Sequence, residues 1–192
     1  MNHKYCAKYK NVKLRPLERN DIEQLRVWRN DYSKTKYLRK IELITPEKQL
    51  EWYESYLSNP DEIIFSIIET QQLKRIVGSI ALYNFKDGQA EVGKIQIGDD
   101  NAHGMGIGKI SLVMASLIGF QKLGLTKVVS SVHQNNIAAH KNNMKVGFRI
   151  VGNHPAPMGG IEDEIEIDKE RLLKINSYVP YINIENCCYD TK

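Results

Sequence analysis

Between residues 63 and 133 the hydrophobic pattern changes period, and this change restricts the chain to a few architectures. Ile63 to Glu69, Arg75 to Phe85 and Ala90 to Ile97 are rich in Ile and Val, and Asp87-Gly88 between the last two is a hairpin signal. Ile107 to Leu123 then reads as a helix closed by Gly124, and Lys127 to His133 as a strand with alternating valines. Three antiparallel strands joined through a glycine-rich segment to an apolar helix require a sheet with helices packed on it.

The flanking segments extend this order. Val12 to Leu17 reads as a first strand. Asn20 is placed to cap a helix, with Glu23 three residues on in capping-box position and Ile22, Leu25 and Trp28 on one face. Thr45-Pro46 opens a second helix with Leu50, Tyr53 and Leu57 as its apolar stripe. Asn136 to Val146 is a short polar helix, and Phe148 to Val151 and Glu164 to Ile167 are strands on either side of the Pro/Gly loop 153–160. The expected order is strand, two helices, three strands, helix, strand, helix, two strands. No repeat, linker or break in composition divides the chain, so one domain over residues 1–176 and a C-terminal tail over 177–192 are expected.

Composition excludes several classes. With 13 Gly and 6 Pro in 192 residues, 42% hydrophobic and 26% charged residues, the chain is neither collagenous nor low-complexity. Its longest apolar stretch, Leu112 to Phe120, is far shorter than the roughly 20 residues of a membrane-spanning helix. The amino terminus carries charge without an apolar block behind it, which predicts a cytoplasmic protein with no membrane partner. Cys6, Cys187 and Cys188 are odd in number, lie at the ends and lack metal-ligand spacing, so thiols are expected rather than a disulfide or a metal site.

The segment His103-Gly104-Met105-Gly106-Ile107-Gly108-Lys109 lies between a strand and a helix. Glycines there let backbone N–H groups approach a ligand, and the helix start adds partial positive charge, so a phosphate or pyrophosphate is the expected guest. A Walker loop fails at His103, where Gly is required, and at Ile110, where Ser or Thr is required. A dinucleotide fingerprint starting at Gly104 fails because its third glycine falls on Lys109.

The segment instead resembles the coenzyme A pyrophosphate loop of the GNAT superfamily of N-acetyltransferases, [Arg/Gln]-x-x-Gly-x-[Gly/Ala], with Gly106 and Gly108 matching and His103 in place of Arg or Gln. Asn136 opening a short helix before Gly147-Phe148 resembles the second signature of that family. The resemblance spans roughly residues 11–170. It implies a mixed α/β fold with a mostly antiparallel central sheet, a splayed parallel strand pair and flanking helices. It further implies acetyl-CoA in the splay as cosubstrate, with no metal. Backbone groups around Ile95 and Ile97 would face the pantetheine, His103, Gly104, Met105, Gly106, Ile107 and Gly108 the pyrophosphate, and Asn136 the pantetheine arm.

The implied reaction is direct attack of a primary amine on the thioester, helped by a general base. Glu91, at the start of the strand leading to the loop, is the first candidate. His133 is the second. His140, in a polar helix, and His154, in a Pro/Gly loop, are less suited. The position where the family often carries a thiolate-protonating Tyr holds Asn143, whose amide is no acid near neutral pH. That departure leaves open an acyl-CoA-binding module without turnover.

Net charge is +4, but residues 1–40 carry 12 Lys and Arg against 4 acids, whereas Glu162, Asp163, Glu164, Glu166 and Asp168 form an acidic run. The imbalance is too small to indicate nucleic acid. In the family the segment 30–45 shapes the acceptor pocket, and here it holds Lys34, Lys36, Arg39 and Lys40. This predicts an anionic acceptor read by Arg39 and Lys40. The Arg26-Val-Trp-Arg-Asn30 run and Trp52-Tyr53 look like members acting on nucleotide-linked amino sugars, and also like the ribosomal-protein N-terminal branch. The acidic run points instead to a polyamine or aminoglycoside. The preferred reading is a small-molecule amino sugar, acetylated by a monomer or homodimer.

Overall fold

The hairpins and helices assemble around one nine-stranded sheet. The computed structural model describes residues 2–35, 42–157 and 159–187. In chain order the elements are β1 (Tyr5–Tyr9), β2 (Val12–Pro16), α1 (Ile22–Asn30), α2 (Tyr32–Thr35), α3 (Pro46–Leu57), β3 (Glu62–Glu69), β4 (Arg75–Lys86), β5 (Gln89–Ile97) and α4 (Ile107–Lys122), then β6 (Lys127–His133), α5 (Ile137–Val146), β7 (Arg149–Pro155), β8 (Ile161–Asp168), α6 (Lys169–Ile175) and β9 (Asn183–Asn186). The strand order is β7-β8-β6-β5-β4-β3-β2-β1-β9. Every neighbouring pair is antiparallel except β5 and β6, which run parallel. The mixed, mostly antiparallel architecture expected from the sequence is the one observed.

Alternation along the strands splits the core into two layers. Phe65, Ile67, Ile80, Leu82, Val92 and Val128 face α4, whose run from Leu112 to Phe120 is buried on all sides. A helix apolar on nearly every face is stable in water only when covered, and here the sheet, α5 and α6 pack against it. Leu17, Ile64 and Ala81 face the opposite way, against Leu25 and Trp28 of α1 and Tyr53 and Tyr56 of α3. Thr45 caps α3 by accepting from the Lys48 N–H at 3.3 Å, with Pro46 in the first turn, as the sequence predicts.

Other expectations are corrected. The turn before α1 is capped by Glu18 and Asp21, not by Asn20 and Glu23. Asp21 is buried and accepts from Arg15 at 2.6 and 2.8 Å, from the Glu18 N–H at 3.0 Å and from Ser66 at 2.7 Å, whereas Glu23 turns outward to Arg26. The segment read as a tail contains β9, which pairs with β1. That pairing brings together residues 181 apart in sequence, and Cys6 and Cys187 form a disulfide across Cα atoms 5.6 Å apart, contrary to the free thiols expected. Among the described residues no helix is long and apolar enough to cross a membrane.

Candidate active site

The parallel pair is short. Gln89, Ala90 and Glu91 pair with Lys127, Val128 and Val129, and beyond Glu91 no residue of β5 has a partner on β6. β6 stays with β8 as far as His133, and β5 stays with β4 as far as Ile97, so the two strands diverge and leave one edge of β5 from Val92 to Ile97 without a neighbouring strand among the described residues. Unpaired backbone donors and acceptors along such an edge are a template for an extended ligand.

α1 fixes the far end of β5. The Gln96 amide donates to the Trp28 carbonyl at 3.0 Å. The Trp28 ring occupies the space a side chain at Gly98 would need, since a Cβ there would lie 2.0 Å from Trp28 Cδ2. Lys34 pairs with Asp100, which ties α2 to the start of the loop.

The loop then turns through two left-handed residues, Gly104 (φ +79°) and Gly106 (φ +72°), and enters α4. The first bond into the helix is Ile110 N–H to Gly106 O, 3.2 Å. The N–H groups of Ile107, Gly108 and Lys109 therefore have no backbone acceptor among the described residues, as at any helix start. A Cβ at Gly104 or Gly106 would meet no atom of the other described residues within 4 Å. Left-handed backbone, open space and free donors at the start of a 16-residue helix fit a pyrophosphate.

Individual candidates differ in what they can offer. Ile107 is buried, so only its N–H can face the loop. Ile95, Ile97 and Met105 pack partly against the core. His103 folds back: its Nε2–H donates to the Ile97 carbonyl at 3.1 Å, and Nδ1 lies 3.9 Å from Asp100. Asn136 spends Oδ1 capping α5, accepting from the Ala139 N–H at 3.2 Å. Asn143 is buried.

Glu91 sits where the divergence begins. Its Oε1 accepts from the Tyr83 hydroxyl and its Oε2 from Asn84 at 3.2 Å. His133 is held at both nitrogens: Nδ1 accepts from the Asn135 N–H at 3.1 Å, so Nε2 carries the proton it donates to the Gly159 carbonyl at 2.9 Å. This makes it a loop fastener. His140 lies 3.5 Å from Asp163, and His154 Nδ1 faces its neighbour's carbonyl at 3.1 Å. Among the described residues no group of three or more His, Cys, Asp or Glu could hold a metal ion.

Among the described residues the positive charge of the first forty does not form one wall. Arg15, Arg19, Arg26 and Lys34 pair with Asp21, Glu54, Glu23 and Asp100. Lys4, Lys8, Lys10 and Lys13 lie on or beside β1 and β2, three or four strand spacings from β5, or roughly 14–19 Å. Burial pulls the Arg29 guanidinium below its ordinary value. Arg39 and Lys40, with Lys36, lie outside the described residues.

The sequence profile of the acetyltransferase (GNAT) domain matches residues 11–149, well over half of the chain. The chain belongs to the GNAT acetyltransferase family. It is an acyl-CoA N-acyltransferase, and its fold is shared with solved members. The spermidine N-acetyltransferase from Vibrio cholerae, in complex with CoA and spermine, superimposes with a TM-score of 0.75 at 20% identity, covering 85% of this chain and 98% of that one. A GCN5-related N-acetyltransferase from Brucella melitensis gives 0.75 at 14% identity, covering 93% and 88%. A domain from Methanocaldococcus jannaschii gives 0.69 at 23%, covering 84% and 99%. No curated protein matches in sequence.

In this GNAT enzyme the residues around Glu91 were not visible in the sequence. Counting back from the Asp87-Gly88 turn pairs Lys86 with Gln89, and unbroken register would set Asn84 opposite Glu91. A register shift between Tyr83 and Lys86 puts Tyr83 there instead. The signal is a left-handed Asn84, φ +55°, which no sequence pattern announces.

Proposed function

We propose that this enzyme moves an acetyl group from acetyl-CoA to a primary amine of a small molecule, in the opening between β5 and β6. The observation that carries the reading is that opening itself, with an unpaired strand edge on one side, a glycine cradle at its mouth and a carboxylate at its apex. The N–H groups of Ile107, Gly108 and Lys109 hold the pyrophosphate, and the β5 edge from Val92 to Ile97 bonds the pantetheine as a neighbouring strand would. His103 braces Ile97 rather than reaching a phosphate. Bound acetyl-CoA supplies the activated thioester.

Glu91 takes a proton from the amine, directly or through water, so that the nitrogen lone pair is free to attack. Holding both reactants in one cleft supplies much of the remaining acceleration. With Asn143 in the helix facing the cleft, solvent or another group returns the proton to the departing thiolate.

The preferred acceptor is a nucleotide-linked amino sugar. Its support is the Arg26–Asn30 run, which organises the pocket rim. Asn30 grips the backbone of Ile44 in both directions at 2.9 Å, and Arg26 donates to the same carbonyl at 3.0 Å. Asn30 and Ile44, described residues on either side of Lys36, Arg39 and Lys40 in sequence, are thus fixed to each other. A cationic acceptor is the second reading. By strand register Glu162 and Glu164 share the face of Glu91, and the fold resembles a spermidine N-acetyltransferase.

Thiol release from acetyl-CoA, measured against nucleotide amino sugars, polyamines, aminoglycosides and ribosomal N-terminal peptides, separates these readings. Turnover of a nucleotide amino sugar with salt-sensitive KM is expected. Turnover of polyamines alone would move the assignment to the acidic strand, and no turnover with any amine would leave a binding module.

A further inference from the structure

Around Glu91 the sheet is irregular on both sides. The β4–β5 register shifts between Ser79 and Ala81, and again between Tyr83 and Lys86. At these places Lys94 (φ +50°) and Asn84 (φ +55°) adopt left-handed backbone without being glycine. Such conformations cost of order 1–3 kcal/mol each and persist where surrounding contacts fix them. Both residues spend their side chains on the same cluster. Asn84 donates to Glu91 Oε2, while the Lys94 ammonium lies 4.7 Å from the centre of the Tyr83 ring and pairs with the buried carboxylate of Glu62.

Tyr83 itself depends on a missing side chain. A Cβ at Gly93 would sit 2.6 Å from the Tyr83 hydroxyl oxygen, so only glycine lets the ring lie across β5 and reach Glu91. Charged groups from three strands act on this pair: Glu62 from β3, Lys94 from β5 and Glu162 from β8. Burial, the bond to Glu91 and the negative charges of Glu62 and Glu162 all push the phenol above its ordinary value, so Tyr83 remains a proton donor throughout the working range.

We propose that Tyr83 is the positioning residue for the base: its hydroxyl, lying over Gly93 and braced by Lys94, holds the Glu91 carboxyl in one place at the start of the opening. This rests on the reading that Glu91 receives the amine proton. Removing the donor therefore leaves the carboxyl group free to rotate out of reach of the amine.

The test is Tyr83→Phe, which keeps the ring, compared with Glu91→Gln and with the double variant, using acetyl-CoA and the acceptor found by thiol release. Tyr83→Phe is expected to lower kcat about 10–100-fold, as loss of a hydrogen bond to a charged group does. KM for acetyl-CoA stays unchanged, so the loss falls on kcat alone. In the Glu91→Gln background Tyr83→Phe adds nothing. Lys94→Met lowers kcat in the same way by less. A Tyr83→Phe enzyme with wild-type kcat, or one whose loss multiplies with that of Glu91→Gln, overturns the proposal while an inactive Glu91→Gln leaves the base standing. A fully active Glu91→Gln overturns both.

Discussion

Glycines on either side of residue 100 are required for opposite reasons. At Gly93 and Gly98 the space of the absent side chain is filled by Tyr83 and Trp28, whereas at Gly104 and Gly106 none of the described residues fills it. The first pair lets aromatic rings of neighbouring elements press onto β5. The second pair supplies left-handed backbone and leaves room for something outside the chain. A short, rigid strand thus continues into a loop built to be approached, and the comparison separates residues that maintain the fold from residues that receive the ligand.

The largest expected effect is on the packed side. Gly98→Ala drives a methyl group into the Trp28 ring, and overpacking of this kind typically costs about 1–3 kcal/mol. A denaturant titration should show a loss near the top of that range, and the acceptor KM should rise because α1 is displaced from the end of β5. An unaltered midpoint would mean that Trp28 does not anchor α1.

The smallest effect lies between the two classes. Gly108 is helical, and a Cβ there would meet Asn142 Nδ2 at 3.5 Å, an ordinary contact. Gly108→Ala should raise stability by about 0.5–1 kcal/mol through helix propensity, seen as a small increase in melting temperature. A decrease would place Gly108 with the packed glycines and erase the distinction at that position.

A pH effect unrelated to the cleft offers a further check on the packed sheet. His3 is buried between β3 and the amino-terminal strand, accepting from the Tyr5 N–H and donating to the Ile64 carbonyl at 3.0 Å. Burial lowers its pKa from 6.5 to about 4. The unfolded chain binds this proton before the folded one does, so the contribution is complete above pH 6.5 and is lost as pH falls toward 4. His3→Gln should flatten that part of the stability profile, measured by denaturant titrations between pH 4 and 7.

Much of the fold was legible because its signals are local. Thr45-Pro46, Asp87-Gly88, the apolar run before Gly124 and Asn136 with Gly147 act within a few residues of themselves, and each appears where the sequence places it. The elements that were missed lack a strong local signal. β9 gains meaning only by pairing with β1, β1 is joined to β2 by a tight turn whose left-handed residue is Lys10 rather than glycine, and α6 has a single buried residue, Leu172, too few to mark a face. The loop of the site could be read because glycine spacing reports backbone shape directly. Tyr83 and Lys94 could not, because the irregular register that gathers them around Glu91 depends on the whole β4–β5 hairpin. The charge imbalance of residues 1–40 is legible only as a sum, because sequence counts charges whereas folding assigns Arg15 to Asp21 and Arg19 to Glu54.

The claim on which the rest depends is that Gly104–Lys109 receives the pyrophosphate of acetyl-CoA. Calorimetric titration of acetyl-CoA into the wild-type enzyme and Gly106→Val tests it most directly. The substitution places a branched side chain in space that none of the described residues occupies, at a left-handed position, so it costs about 1–2 kcal/mol of stability and leaves a folded protein. The account predicts a cooperative melting transition close to that of the wild type and a fall in acetyl-CoA affinity of at least tenfold. A folded Gly106→Val enzyme binding acetyl-CoA as tightly as the wild type would contradict it.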